Sequence, residues 1–130
     1  MTKLFEQIVL IADIPNKNNN VYCRKVLEKI VNEFKPSSFG IIGMREDSLI
    51  PLSSVSHVVN NLKLVDNELK ADITTVDTEE GKRLDIMIKN DMVAFRTAGN
   101  CTYKYENGIR IINDDYKLIS INAVNINDAA

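Results

Sequence analysis

The stretch from Met92 to Cys101 comes nearest in this sequence to a catalytic pattern. It is typical of a strand that runs into a tight, glycine-bearing turn. Such a turn can expose one side chain at the mouth of a site while backbone N–H groups converge beside it. The exposed positions would be Ala94 and Phe95, which carry no hydroxyl, thiol or amine that could attack a substrate. The pattern is therefore that of a nucleophile turn without a nucleophile.

Few other residues could carry nucleophilic or metal chemistry. His57 is the single histidine of the chain, and we expect it to be a partly buried, hydrogen-bonded strand residue. The two cysteines, Cys23 and Cys101, lie in dissimilar contexts without Cys-x-x-Cys spacing, which favours free thiols over a disulfide and argues against a zinc site. We expect Cys101 to be a small core residue. The sequence indicates no metal and no cofactor.

Adjacent carboxylates occur in three polar segments that we interpret as solvated faces or turns. These pairs are Glu46-Asp47, Glu79-Glu80 and Asp114-Asp115.

Length and charge exclude several classes of protein. At 130 residues the chain fits one domain, residues 1–130, and its 45% apolar and 26% charged residues are those of an ordinary globular protein. The net charge of −2, without clustered Lys and Arg, gives no reason to expect nucleic-acid binding. No apolar run approaches the roughly 20 residues that cross a bilayer, and no signal peptide is evident, so we expect synthesis in a cytoplasm and no membrane partner.

Periodicity and turn residues predict six or seven strands and two helices. The predicted helices cover Tyr22 to Lys35 and Thr78 to about Asn90. The predicted strands cover Leu4 to Ile14, Phe39 to Gly43, Ser54 to Val65, Leu69 to Asp77, the stretch after Met92, a hairpin turning at Glu106-Asn107-Gly108, and Tyr116 to Val124. This order favours an α+β fold, a small, mostly antiparallel β-barrel or curled sheet with two main helices packed outside it.

Three segments carry a resemblance to a known family. Asn16 to Lys29 is similar to the pattern Asn-x-Asn-x-x-x-Tyr-Pro-x-x-(Ile/Leu)-Leu-x-Lys, with Cys23 at the proline. Ser56 to Ile73 resembles the family's central hairpin, and Tyr105 to Leu118 its C-terminal hairpin. In this order, over about Ile11 to Asn127, they resemble the prohead maturation serine proteases of large contractile-tailed phages, whose fold is related to that of herpesvirus capsid-maturation proteases.

The resemblance fails where the family has its catalytic residues. The family's Gly-Glu-x-x-His-Pro motif corresponds to Gly40 to Arg45, which places Met44 at the histidine. Its Val-Ser-Ser-Arg-Gly-x-Gly motif corresponds to Val93 to Gly99, which places Ala94 and Phe95 at the two serines. Since methionine takes no proton and alanine cannot attack, the resemblance implies a catalytically inactive homologue.

Two residues near the degenerate motif remain open to a catalytic interpretation. Arg96 is retained and would help an oxyanion site in an active relative, whereas here we expect it to hold the turn or to pair with Asp72 or Asp77. His57 can match a site-supporting histidine seen in some relatives.

The resemblance implies a non-catalytic virion protein that is made in the host cytoplasm and binds capsid or other head proteins. The former substrate groove, filled by Phe95 and Met44, could hold a peptide or strand of a partner by β-augmentation, or it could be closed altogether. An oligomer of the chain itself is left open. The candidate partner surface consists of Arg45, Glu46, Phe95, Arg96 and Asn100.

Two other functions stay open on the sequence. The chain could be an assembly regulator that pairs with the active prohead protease or the scaffold core. It could also be a residual protease that uses His57 with Cys101 or with a displaced serine, for which the candidates are Ser53, Ser54 and Ser56.

Overall fold

A computed structural model of the chain describes residues 4–43 and 52–128. These residues form two helices and nine strands. The helices are α1 (Arg24–Glu33) and α2 (Glu79–Lys89). The strands are β1 (Leu4–Ile11), β2 (Asn20–Val21), β3 (Ser38–Ile41), β4 (Val55–Val65), β5 (Glu68–Thr75), β6 (Val93–Asn100), β7 (Tyr103–Glu106), β8 (Ile109–Ile112) and β9 (Lys117–Asn125).

The largest sheet has four antiparallel strands in the order β1-β5-β4-β3. Its centre is the predicted hairpin of β4 and β5, which is confirmed. Alternate residues of β5 point into the core, and Leu69, Ala71 and Ile73 are fully buried. This alternation is the pattern expected of a strand with one buried face.

The second sheet pairs β6 with β9, and among the described residues a single β-bridge joins it to the first sheet. Ile42, just after β3, forms a single parallel bridge with Ala123 of β9. Before that point a cleft of about 480 Å³ separates β3 from β9, lined by residues such as Phe34, Ser38 and Leu118. The predicted α+β fold is confirmed, and among the described strands no closed barrel forms, because the two sheets are joined by this single bridge and not by continuous pairing.

Both predicted helices are confirmed with slightly shorter ends. Helix α1 buries Val26, Leu27 and Ile30 on one face, as its apolar spacing predicts. Helix α2 begins at the predicted N-cap, where the Thr78 hydroxyl accepts a hydrogen bond from the Gly81 N–H at 3.0 Å. Both helices pack against the four-stranded sheet.

The stretch from Met92 to Cys101 differs from the prediction. It contains no tight turn, because β6 continues through Gly99 to Asn100 with only a bulge between Ala98 and Gly99. A Cβ atom at Gly99 would lie 2.4 Å from the Tyr116 ring, so the glycine is required by close packing. Gly99 is therefore a glycine of close packing, and the turn predicted for it is wrong.

The third sheet has the order β2-β8-β7. The predicted Asn-Gly hairpin turn is confirmed, since Asn107 and Gly108 have φ angles of 51° and 81°. Strand β2 was not predicted. It is two residues long and pairs in parallel with β8, so no local pattern marks it.

Candidate functional site

The two degenerate motifs meet on opposite edges of β9. On one edge the Gly43 N–H donates to the Ala123 carbonyl at 2.7 Å. On the other edge Phe95 is the ladder partner of Ala123, and Ala94 that of Val124. The segment that ends at Gly43 and the segment around Ala94 therefore flank the same part of one strand. Met44, Arg45 and Glu46 lie outside the described residues.

Phe95, at the second serine of the family motif, is a core residue. Its side chain is 4% exposed. Its ring lies 5.5 Å from the ring of Phe5 and meets the His57 ring edge-on at 5.2 Å, as aromatic pairs prefer. Ala94 beside it is half-buried. Because Phe95 is buried by its own chain, direct contact with a partner would require the core to open.

The His57 imidazole is locked in one tautomer by two hydrogen bonds. Its Nε2 lies 2.7 Å from the Ile121 carbonyl, which can only accept, so Nε2 carries the proton. Its Nδ1 lies 2.7 Å from the Ser56 hydroxyl and therefore accepts from it. Burial lowers the pKa of His57 to about 4, although the bond to Ile121 acts in the opposite direction. The imidazole is thus neutral at physiological pH.

The Ser56–His57 pair has the bonding pattern of a serine and its general base, but it has no access to a substrate. Both side chains are fully buried. A nucleophile must reach a carbonyl carbon, and neither atom of this pair contacts solvent. The other two serines that we considered, Ser53 and Ser54, do not bond to His57, whose two ring nitrogens are already occupied.

Cys101 lies apart from this pair and is poorly suited to act as a nucleophile. Partial burial, followed by the charge of Asp115, raises the pKa of its thiol. The thiolate, which is the reactive form, is therefore disfavoured at neutral pH. Cys23 and Cys101 are both free thiols, as predicted.

Arg96 and Asn100 both line a cavity of about 790 Å³. The cavity is also lined by Arg110 from β8 and by the Tyr22 and Tyr116 rings, which meet edge-on at 5.7 Å. No Asp or Glu lines the cavity within the described part of the chain. It therefore has two cationic groups and no carboxylate.

Arg96 does not form the ion pairs that we expected. Asp72 pairs instead with Lys63 at 3.7 Å, and Asp77 with Lys82 at 3.9 Å. Within residues 4–43 and 52–128, no ion pair includes Arg96. Among the described residues, its guanidinium therefore has no carboxylate partner at the cavity.

Sequence reasoning missed Arg110 as a residue of this site. Its Nη2 donates to the Asn18 carbonyl at 3.2 Å, and its guanidinium lies 5.7 Å from the centre of the Tyr103 ring. The parallel pairing of β2 with β8 carries Arg110 to the cavity. A two-residue pairing between distant segments leaves no sequence pattern, so no signal could have identified this residue.

Metal ligands and membrane-spanning helices are two further features that bear on function. Among the residues that the structure describes, no group of three or more His, Cys, Asp or Glu side chains could hold a metal ion. None of the described helices is both long enough and apolar enough to cross a membrane.

Comparison with known proteins finds a similarity to a solved structure. No protein-family model matches the chain, and no curated protein matches it. A solved structure, that of the bacteriophage T4 capsid assembly protease gp21, superposes with a TM-score of 0.74, covering 93% of this chain and 80% of that chain. The chain has the fold of this phage protease. The sequences are 22% identical, and this similarity confirms the prohead-protease-like fold that the motifs predicted.

We expect stability to fall as His57 becomes protonated. Because the pKa of His57 is lower in the folded chain than in the unfolded chain, the unfolded state binds the proton first as the pH falls below about 6.5. The free energy of unfolding should therefore drop by about 2 kcal/mol between about pH 7 and about pH 5 because of this group. Urea unfolding of the wild type and of His57→Gln at both pH values measures this term. Equal pH dependence in the two proteins would contradict it.

The position of the His57 ring should allow only glycine at residue 40. A Cβ atom at residue 40 would lie 2.1 Å from His57 Nε2 and 2.4 Å from the Ile121 carbonyl oxygen. Gly40→Ala should therefore lower the free energy of unfolding by about 1–3 kcal/mol through overpacking. The control is Phe39→Ala on the same strand, where the side chain is 48% exposed. A Gly40→Ala protein as stable as the wild type in urea would rule out the close contact.

Proposed function

We propose that this chain is a non-catalytic structural protein of a phage virion that binds capsid or other head proteins. The observation that carries the proposal is the burial of Phe95 at a serine position of the family motif, within a fold shared with a capsid assembly protease. This position holds a core aromatic residue, and the neighbouring position holds alanine. The protein acts in the virion after synthesis in the host cytoplasm.

The loss of catalysis follows from the chemistry of the residues present. Peptide hydrolysis by a serine protease needs a nucleophile, a base within hydrogen-bond reach of it, and donors for the oxyanion. Ala94 supplies no nucleophile, and Met44 supplies no base. The one histidine is buried and is bonded to Ser56 and Ile121. Its role is to stabilise the fold.

The partner surface includes Arg96 and Asn100 at the cavity of about 790 Å³. Arg45 and Glu46 belong to it on sequence grounds, whereas Phe95 acts beneath the surface by holding β6 in place. Two guanidinium groups without a carboxylate among the described lining residues suit an acidic or carbonyl-rich segment of a head protein. This chemistry supports binding and requires no nucleophile.

A second function, regulation of assembly, rests on the shared fold. A chain that folds like a capsid assembly protease could use an ancestral subunit contact to pair with an active prohead protease or with the scaffold core. Such a regulator is lost during maturation, whereas a structural component is retained. The fate of the protein therefore separates the two functions.

Purified mature virions should contain the chain at a fixed copy number. Arg96→Ala should lower its incorporation severalfold, because a charged contact at the partner surface is lost. Arg83→Ala is the matched control, since Arg83 lies on α2 and pairs only with Glu80 among the described residues. Quantitative mass spectrometry of virions and of immature particles measures both. Presence in immature particles alone would favour the regulator, and absence at every stage would refute both functions.

The purified chain should not cleave the capsid and scaffold precursors of its own phage. His57→Ala and Cys101→Ala should give the same cleavage pattern as the wild type in a gel-based assay, because neither residue acts on a substrate. An active prohead protease serves as the positive control. Cleavage by the wild type that disappears in His57→Ala would establish the residual protease and overturn the proposal.

A further inference from the structure

Strand β7 is an edge strand whose side chains are all exposed. It is the outer strand of the sheet β2-β8-β7, and no described strand pairs with its other edge. An unpaired edge offers a row of backbone N–H and C=O groups to another strand. The edge therefore needs either protection or a partner.

The hairpin geometry fixes which backbone groups face outward. In a two-residue hairpin loop, the residues on either side of the turn, here Glu106 and Ile109, exchange hydrogen bonds with each other. The bond from the Asn113 N–H to the Thr102 carbonyl at 3.0 Å follows the same alternation. Even-numbered residues of β7 therefore bond to β8. The backbone groups of Tyr103 and Tyr105 point away from the sheet.

The charges on β7 select one way in which the strand can pair with a copy of itself. A symmetric antiparallel pair can place the outward groups of one Tyr105 against those of the other, or centre on residue 103, 104 or 106. Centring on residue 103 opposes Lys104 to Thr102 and forms no ion pair. Centring on residue 104 opposes Lys104 to Lys104, and centring on residue 106 opposes Glu106 to Glu106. Centring on Tyr105 opposes Lys104 to Glu106 twice. Cross-strand pairs of opposite charge stabilise a sheet, and like charges destabilise it.

The residues involved are free to take part. Within the described part of the chain, neither Lys104 nor Glu106 forms an ion pair. Tyr103 and Tyr105 are 48% and 67% exposed on the other face, with their rings 6.0 Å apart. Pairing centred on Tyr105 would bring the tyrosines of both copies together on this face, where aromatic area is available to be buried.

We propose that two copies of this chain pair edge to edge through β7, in antiparallel register centred on Tyr105. The two small sheets then form one six-stranded sheet in the order β2-β8-β7-β7-β8-β2. Two Lys104–Glu106 ion pairs lie on one face, and four tyrosines lie on the other. This inference goes beyond the proposed function and uses no residue of the degenerate motifs, although Tyr103 also lines the cavity of the proposed partner surface.

Charge reversal tests the pairing with the complete chain. The wild type should show a concentration-dependent monomer–dimer equilibrium in sedimentation velocity. Lys104→Glu or Glu106→Lys makes the registers centred on residues 104, 105 and 106 all oppose like charges, so each should raise the dimer dissociation constant about tenfold or more. The double variant Lys104→Glu/Glu106→Lys restores opposite charges and should dimerise about as tightly as the wild type. An equimolar mixture of the two single variants should form mixed dimers for the same reason.

Two controls separate pairing from general effects of charge and folding. Lys25→Glu makes the same charge change at an exposed position on α1 and should leave the dimer unchanged. Circular dichroism should show all variants to be folded, since the altered side chains are exposed. The proposal is refuted if the wild type stays monomeric up to millimolar concentration. It is equally refuted if the single reversals dimerise like the wild type, or if the double reversal fails to restore the dimer.

Discussion

The hydrogen bond between His57 Nε2 and the Ile121 carbonyl connects the two main sheets at the centre of the molecule. It joins β4 of the four-stranded sheet to β9 of the two-stranded sheet through a fully buried side chain. It requires a glycine at residue 40, because a Cβ atom there would lie 2.1 Å from Nε2. The neutral state of the imidazole is required by the other bond, in which Nδ1 accepts from the Ser56 hydroxyl. The bridge from Ile42 and the bond from Gly43 to Ala123 follow directly along β9. These contacts hold residues 40–43 against β9, and the ladder with β6 places Ala94 and Phe95 on the other edge of β9.

The same contact explains how the polar residues in this region stabilise the fold. A buried polar group is costly unless its hydrogen bonds are satisfied, and here Ser56, His57 and the Ile121 carbonyl satisfy one another. Phe95 packs against the imidazole from β6 and closes the region to water. In this protease-like fold the Ser56 hydroxyl and the His57 imidazole are therefore buried and hydrogen-bonded within the core. Polar groups that a partner could reach lie instead at the cavity lined by Arg96 and on the exposed edge of β7.

Much of the fold could be predicted from local sequence, and most of the site could not. The apolar spacing of α1, the alternation of β5 and the Asn107-Gly108 turn each depend on neighbouring residues, and each is confirmed. Gly99 was interpreted wrongly, because the Tyr116 ring that requires a glycine there comes from a distant part of the chain. The choice between a barrel and a curled sheet could not be made from the sequence, because it depends on long-range pairing of the two sheets, which among the described strands is the bridge between Ile42 and Ala123. Arg110 reaches the cavity through a two-residue parallel pairing, and such long-range contacts have no counterpart in the sequence pattern.

We propose above that this protease-like chain serves as a binding component of the virion. Cryo-electron microscopy of the mature particle, at a resolution that shows side chains, tests this role most directly. We expect density for the chain with the cavity around Arg96 and Asn100 in contact with a head protein, and with Phe95 still buried against His57. A particle without this density, or one in which that cavity faces solvent while another surface carries the contacts, would contradict it.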